Sequence, residues 1–290
     1  MAERRARRGP REDSSVAERV IGAVLFAIIF LGTLIWGKLP FTIAIALAAA
    51  LGSIELFSLF ETKGEAVPTA AVLGILGSVA YVFMAYFKGF ASYGYVTIAL
   101  VFLSFIWYMV VLRHVKPTKA VALTVLAPIL SGLCLSHLVL LRELPIRKSW
   151  LIVIFLMALI WVYDVVAWAI GRKLGRHKIA PSVSPNKSLE GAIAGTVGVI
   201  AASMLFRLIV VSIEEYRWFS IGVALVIAAI VVVLGPLGDL SESLIKRDYG
   251  VKNMGSLIPG HGGIMDRFDS TLFTAPAVFY FLLYFVIKFK

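Results

Sequence analysis

Nine runs of apolar residues, each close to the roughly 20 residues a helix needs to cross a bilayer, constrain this chain more than any other feature. They fall near 18–37, 39–60, 69–88, 92–112, 119–141, 149–171, 191–211, 217–245 and 271–288. In hydrocarbon every backbone N–H and C=O needs an internal partner, so segments of this kind must be helices or strands of a closed barrel. Continuous apolar runs, rather than alternating ones, select helices. The expected fold is therefore all-α, a polytopic membrane protein with about nine transmembrane helices in one bundle. The hydrophobic share of 60% agrees, against roughly 45–50% for soluble domains. The spacing divides the chain into a basic tail (1–17), N-terminal membrane helices (18–150) and a C-terminal membrane region (151–290) that carries the chemistry.

The first run is read as a retained span, because it is long and no small-residue cleavage site separates it from the second. A single cysteine, Cys134, allows no intrachain disulfide. The net charge of +11 could suggest a nucleic-acid partner, but its placement argues for topology instead. Lys and Arg concentrate in the tail and in the loops after spans two, four, six and eight. That bias puts the N-terminus and those loops on the cytoplasmic side. The exception is Arg142–Lys148, with three basic residues on the outer face. The tail, Arg4 to Arg11, fits contact with anionic lipid. No nucleic-acid partner is expected.

Two polar segments then open on one face, because two spans separate them. The first runs from Gly171 to Gly191 and the second from Ser243 to Asp269. Both are basic and rich in Gly and Pro turn signals. Beside them lie acids inside spans: Asp164 in span six, and Asp239 and Glu242 in span eight. Charge at such depth is costly and faces a partner or a wet cavity. Asp239, Glu242, Ser243 and Lys246 share a helical face at i, i+3, i+4 and i+7, and Asp266 and Asp269 lie three apart before the last span. Mg²⁺ takes oxygen ligands, commonly one or two carboxylates with phosphate and water. Asp239 and Asp266, one from each helix bordering the loop, are the preferred pair. The competing reading is that these acids neutralise Lys246, Arg247 and Arg267.

Within the second segment, PGHGG (Pro259–Gly263) matches neither a Walker A loop nor a dinucleotide fingerprint. Its glycines either present N–H groups to a phosphate or form a tight turn, and His261 is open as an acid, a phosphate donor or a turn residue. Cys134 and His137 lack the further ligands zinc needs and read as packing. The pairs Gly74–Gly77, Gly191–Gly195 and Gly195–Gly198 read as helix–helix contacts. Glu55, inside span two, is the remaining intramembrane acid.

Taken together these residues resemble the phosphatidate cytidylyltransferase (CDP-diacylglycerol synthase) family. Its pattern S-x-x-K-R, then K-D, then P-x-H-G-G-x-x-D-R-x-D is met by Ser243, Lys246, Arg247, Lys252, Pro259, His261, Gly262, Gly263, Asp266, Arg267 and Asp269, with Asn253 in place of the family's Asp. Upstream, Asp164, Gly171, Arg172, Gly175, Arg176, His177 and Lys178, then Ser184–Gly191, are similar to further family segments, with Asn186 and Ser188 as departures. The first 150 residues match mostly as a hydropathy pattern, and Glu55 corresponds only weakly to an acid of the family's second span.

The resemblance implies synthesis of CDP-diacylglycerol and pyrophosphate from CTP and phosphatidic acid, with Mg²⁺ and room for a second metal ion. It implies a catalytic set of Asp164, Lys246, Arg247, Lys252, His261, Arg267 and Asp269. Substrate contacts fall to Lys187, Glu190, Ser243, Gly262 and Gly263, and the metal to Asp239 and Asp266. Lys187 joins the other cations on phosphate, while Asp164, Glu190 and Asp269 orient them or complete the metal shell. The expected partners are CTP, phosphatidic acid and the bilayer, with a homodimer left open, in a cell membrane with the site facing the cytoplasm. Two alternatives stand: a CTP-dependent lipid-alcohol kinase, and a transporter with an acidic ion path. No pair of matching interrupted helices supports the transporter.

Overall fold

The computed structural model describes residues 16–62, 67–111, 117–210, 212–213, 216–255 and 262–287. His261, Pro259 and residues 1–15 of the basic tail lie outside them. The chain is a helical membrane bundle, in the order α1 (Val16–Trp36), α2 (Lys38–Thr62), α3 (Ala71–Lys88), α4 (Tyr93–Val110), α5 (Pro117–Pro128), α6 (Leu135–Glu143) and α7 (Trp150–Leu174). A short hairpin follows, β1 (Lys178–Ala180) and β2 (Ser184–Ser188), then α8 (Leu189–Val210), α9 (Ile221–Asp248), α10 (Met265–Phe268) and α11 (Thr271–Phe281). Among the described residues, seven helical stretches are long and apolar enough to span, and Val24–Trp36 and Thr271–Ile287 are shorter apolar helices. Seven of the nine expected spans thus reach spanning length among the described residues, while the first and last are represented by shorter apolar helices.

Two local features depart from a plain set of helical rods. The fifth run is one span, Pro117–Glu143, made of α5 and α6 joined by a π-helical turn at Ile129–Cys134. Pro128 precedes that turn, and a ring without an N–H is a natural place for the backbone ladder to widen. The turn carries Ser131, whose hydroxyl meets Ser53 of α2 at 2.7 Å and Ser78 of α3 at 3.2 Å. Three buried hydroxyls thereby tie three helices, each bond worth about 0.6 kcal/mol in a membrane. The second departure is the antiparallel pairing of β1 with β2, a polar hairpin between α7 and α8 that an all-helical expectation did not contain.

On the opposite end, Lys38 pairs with Glu143 at 2.6 Å, and Arg142 donates from Nε to the Leu34 carbonyl at 3.1 Å. Arg142 is buried. Its charge is therefore spent inside the bundle, which eases the exception it made to the charge bias. Around the polar segments, α7 packs along α8, α8 on α9, and α9 on α11. Gly191 and Gly195 allow the first of these contacts, since a Cβ on either would overlap Ala167 or Tyr163 of α7.

Candidate active site

Helix α9 buries one face through Gly235, Gly238, Glu242, Ser243 and Lys246, the periodicity of a helix against a core. On that face Lys246 Nζ lies 3.1 Å from Glu242 Oε1 and 2.7 Å from Asp266 Oδ1. The other oxygen of Asp266 accepts the backbone N–H groups of Met254 (3.1 Å) and Gly263 (2.8 Å). Asp266 thus pins both described ends of the loop to α9. Burial pushes its carboxyl up, but the bond and charge of Lys246 with the Gly263 N–H outweigh this and hold it below the usual range. One turn earlier, Asp239 pairs with Lys187 of β2 at 2.6 Å and accepts from Ser243 Oγ at 3.3 Å.

These contacts join the two polar segments, as their shared face required. Lys187 reaches α9 from the hairpin, and Arg247 donates to the carbonyls of Val183 (3.2 Å) and Val251 (2.9 Å). Of the two readings left open for the acids, ion pairing describes the observed contacts of Asp266 and Asp239. Lys246 on Asp266 is one of the cations that reading named, whereas Lys187 on Asp239 is a partner it did not name. Glu190 is occupied in shaping the hairpin: it accepts the N–H groups of Arg176 (3.0 Å) and His177 and pairs with His177 Nδ1 at 2.7 Å. Lys252 and Asn253 are exposed at the start of the loop.

Asp164, Asp239 and Asp269 form a second grouping, close enough for their charges to act on one another, with Lys187 and Arg267 as the cations Asp164 feels. Withdrawal from water, then the charge of Asp239, pushes the Asp269 carboxyl up to about 6. The Asp269 backbone is brought in by Gly238, where a Cβ would overlap the Asp269 carbonyl. Gly238→Ala is therefore expected to separate α9 from the last helix and lower turnover about 10²-fold, the scale of a 1 Å misplacement. Comparing kcat with the thermal unfolding midpoint checks it, since folding should change far less.

Three cavities border these groups, and neighbouring ones share lining residues. One of about 520 Å³ lies between α1 and α7, with Phe26, Ala27, Trp161 and Val165 as apolar wall and Asp164, Asp266, Arg267 and Asp269 at its polar end. A second, about 280 Å³, lies between α7, β2, α8 and α9 and shares Asp164, adding Lys187 and Asp239. The third, about 390 Å³, continues along Trp168 and Asn186 to Arg172 and Lys178. The Arg172 guanidinium stands 5.6 Å from the Trp168 ring centre. From the first to the third, the lining changes from apolar to acidic to cationic side chains.

Among the described residues no three His, Cys, Asp or Glu side chains stand in ready metal-binding geometry. The donor chemistry nevertheless fits a hard divalent cation. Withdrawal from water first, and then the charge of Asp239, raise the Asp269 carboxyl, and a cation beside these carboxylates would relieve both.

The structure adds contacts at two places the sequence had left open. Gly262 and Gly263 were open as phosphate-facing backbone; in the structure a Cβ on Gly262 would overlap the Asp266 carboxylate and one on Gly263 that of Glu55. The close approach these glycines permit is to the protein's own acids. Glu55 itself, noticed only as an acid in an apolar span, accepts the N–H of Ile264 at 2.8 Å and of Met265 at 3.0 Å. Its isolation in the span was the available signal. The partner, more than two hundred residues away, had none.

Residues 17–285 match the profile of the cytidylyltransferase family. The chain is similar to the phosphatidate cytidylyltransferase of Bacillus subtilis, 35% identical over 272 residues that cover 92% of this chain and 98% of that protein. It is similar also to that of Synechocystis sp., 31% identical over 293 residues (92% and 96%). The phosphatidate cytidylyltransferase of Thermotoga maritima is 46% identical over 116 residues, 40% of this chain and 43% of that protein.

Proposed function

This chain belongs to the cytidylyltransferase family, and from that premise we propose that it transfers the cytidylyl group of CTP to phosphatidic acid. A phosphate oxygen of the lipid attacks the α-phosphorus of CTP. The bond from that phosphorus to the β-phosphate oxygen breaks, giving CDP-diacylglycerol and pyrophosphate. The nucleophile is already anionic, so no strong general base is required. What must be overcome is the repulsion between two anions and the charge gathering on pyrophosphate. The observation that supports this reading is that an apolar-walled cavity and a cavity lined by Lys187 share Asp164 in their walls.

Phosphatidic acid would approach from the bilayer between α1 and α7, its chains along Phe26 and Val165 and its phosphate toward Arg267. The triphosphate would lie on the side of Lys187, Arg172 and Lys178. Lys187 and Lys246, each now on a carboxylate, would turn to phosphate oxygens as those carboxylates take up a cation. Asp239 and Asp266 would hold Mg²⁺, with Asp164 and Asp269 around the same space. A bound divalent cation supplies positive charge to the triphosphate and to the departing pyrophosphate. Fixed cations and dipoles already in place act at low reorganisation cost.

The test is purified protein in detergent with CTP, Mg²⁺ and phosphatidic acid, measuring CDP-lipid and pyrophosphate. Equimolar formation of both is expected. CDP with a phosphorylated alcohol would identify a lipid-alcohol kinase, and solute flux without nucleotide turnover would identify a transporter. Since Cys134 is the one cysteine and is buried, a Ser182→Cys variant on the exposed hairpin turn reports orientation. Labelling by an impermeant maleimide only in inside-out vesicles supports a cytoplasmic face.

The raised Asp269 adds a pH expectation. Its carboxyl is ionised above about 6 and neutral below, and a neutral carboxyl holds a cation poorly. The Mg²⁺ needed for half-maximal rate should therefore climb about tenfold per pH unit below 6 and level off above it. An Mg²⁺ requirement flat across that range would remove Asp269 from the cation's surroundings.

A further inference from the structure

Glu55 lies in α2, well inside an apolar span, and is 4% exposed. A charge at such depth costs roughly 2.5–3.5 kcal/mol on insertion scales and is kept only with partners. Here the partners are backbone groups of the polar loop, Ile264 N–H on Oε1 and Met265 N–H on Oε2. The next residues are Asp266 and Arg267. The loop also passes the same carboxylate on its other arm, since a Cβ at Gly255 would overlap Glu55 just as one at Gly263 would. The carboxylate therefore stands between the two described ends of the loop, in contact with both.

We propose that Glu55 is a positioning residue, a post on α2 around which the loop closes so that Asp266, Arg267 and Asp269 are held in register with α9. A carboxylate suits this task where an amide does not. Two adjacent N–H groups need two acceptor oxygens, and a glutamine would turn its own NH₂ toward one of them. The glycines at 255 and 263 follow from the same geometry, because nothing larger than hydrogen fits beside the carboxylate. Glu55 acts through the backbone. Removing it releases the loop from α2 but leaves the Lys246–Asp266 pair as the remaining tie. The proposal rests on the reading of Asp266–Asp269 as catalytic, so its test carries one measurement that does not depend on turnover.

That test uses the full-length protein in detergent, as wild type, Glu55→Gln, Gly263→Ala and the double variant Glu55→Ala/Gly263→Ala beside Glu55→Ala. Amide hydrogen exchange without substrate is read over residues 262–269, with kcat and KM for CTP. Glu55→Gln is expected to speed exchange at Ile264 and Met265 about tenfold or more, with the rest of the bundle unchanged. It should lower kcat about 10²-fold while KM for CTP moves less than about threefold. Gly263→Ala should match that loss alone, yet add little on Glu55→Ala, where the space beside it is vacated. Unchanged exchange at Ile264 and Met265 in Glu55→Gln would overturn the proposal, as would additive losses in the double variant. Faster exchange throughout the bundle would also overturn it, because Glu55 would then be a general support. If the wild type makes no CDP-lipid, the proposed reaction fails, and local exchange still decides the part Glu55 plays.

Discussion

Turnover is expected to fall about 10³-fold or more in Asp239→Asn, with the protein still folded. Asparagine keeps the shape and one acceptor but removes the charge that both Lys187 and a divalent cation need. The Asp239–Lys187 pair is only partly withdrawn from water, the side chains being 28% and 26% exposed. An unpaired Lys187 would therefore be hydrated in the cavity, and loss of such a half-exposed pair costs little stability. Activity and stability should separate. A thermal unfolding midpoint within a few degrees of wild type, with kcat lost, is the expected pattern. Near-normal turnover would remove Asp239 from the metal's surroundings.

Lys246→Met should do the reverse first. Lys246 is the shared cation of Glu242 and Asp266, and all three side chains are at most 9% exposed. Taking away the cation leaves two buried carboxylates facing each other, and breaking a buried pair this way costs about 3–5 kcal/mol. Much of the protein should fail to fold. Adding Glu242→Gln to Lys246→Met removes one of the stranded charges and should restore part of the unfolding midpoint but not turnover. Arg247→Met is the control. Among the described residues its exposed guanidinium bonds the backbone carbonyls of Val183 and Val251, so stability should change little. A Lys246→Met protein as stable as wild type would mean that the pair contributes nothing to folding.

The contrast between these two lysines was not readable from the chain. Both sit in basic motifs beside acids, and their spacing puts Lys246 on the face of Asp239 and Glu242. Which acid each lysine meets depends on how α9 faces β2 and α10. The same holds for Glu190, whose contact with His177 across the hairpin no spacing announced. Helical periodicity states which residues share a face. It does not state what that face meets.

The sequence by itself determined the helical membrane bundle, the shared side of the two polar segments and the family resemblance carried by Ser243–Asp269. Each rests on short-range rules: apolar length, loop parity, and residue identity at fixed spacing. Only the tertiary structure decided that Lys246 and Lys187 hold Asp266 and Asp239, and that an apolar slot between α1 and α7 ends on Asp164. It alone showed that the glycines of the loop make room for Glu55 and Asp266. Those outcomes depend on contacts between residues far apart in the chain, made where buried charges and backbone N–H groups must find partners that water would otherwise supply.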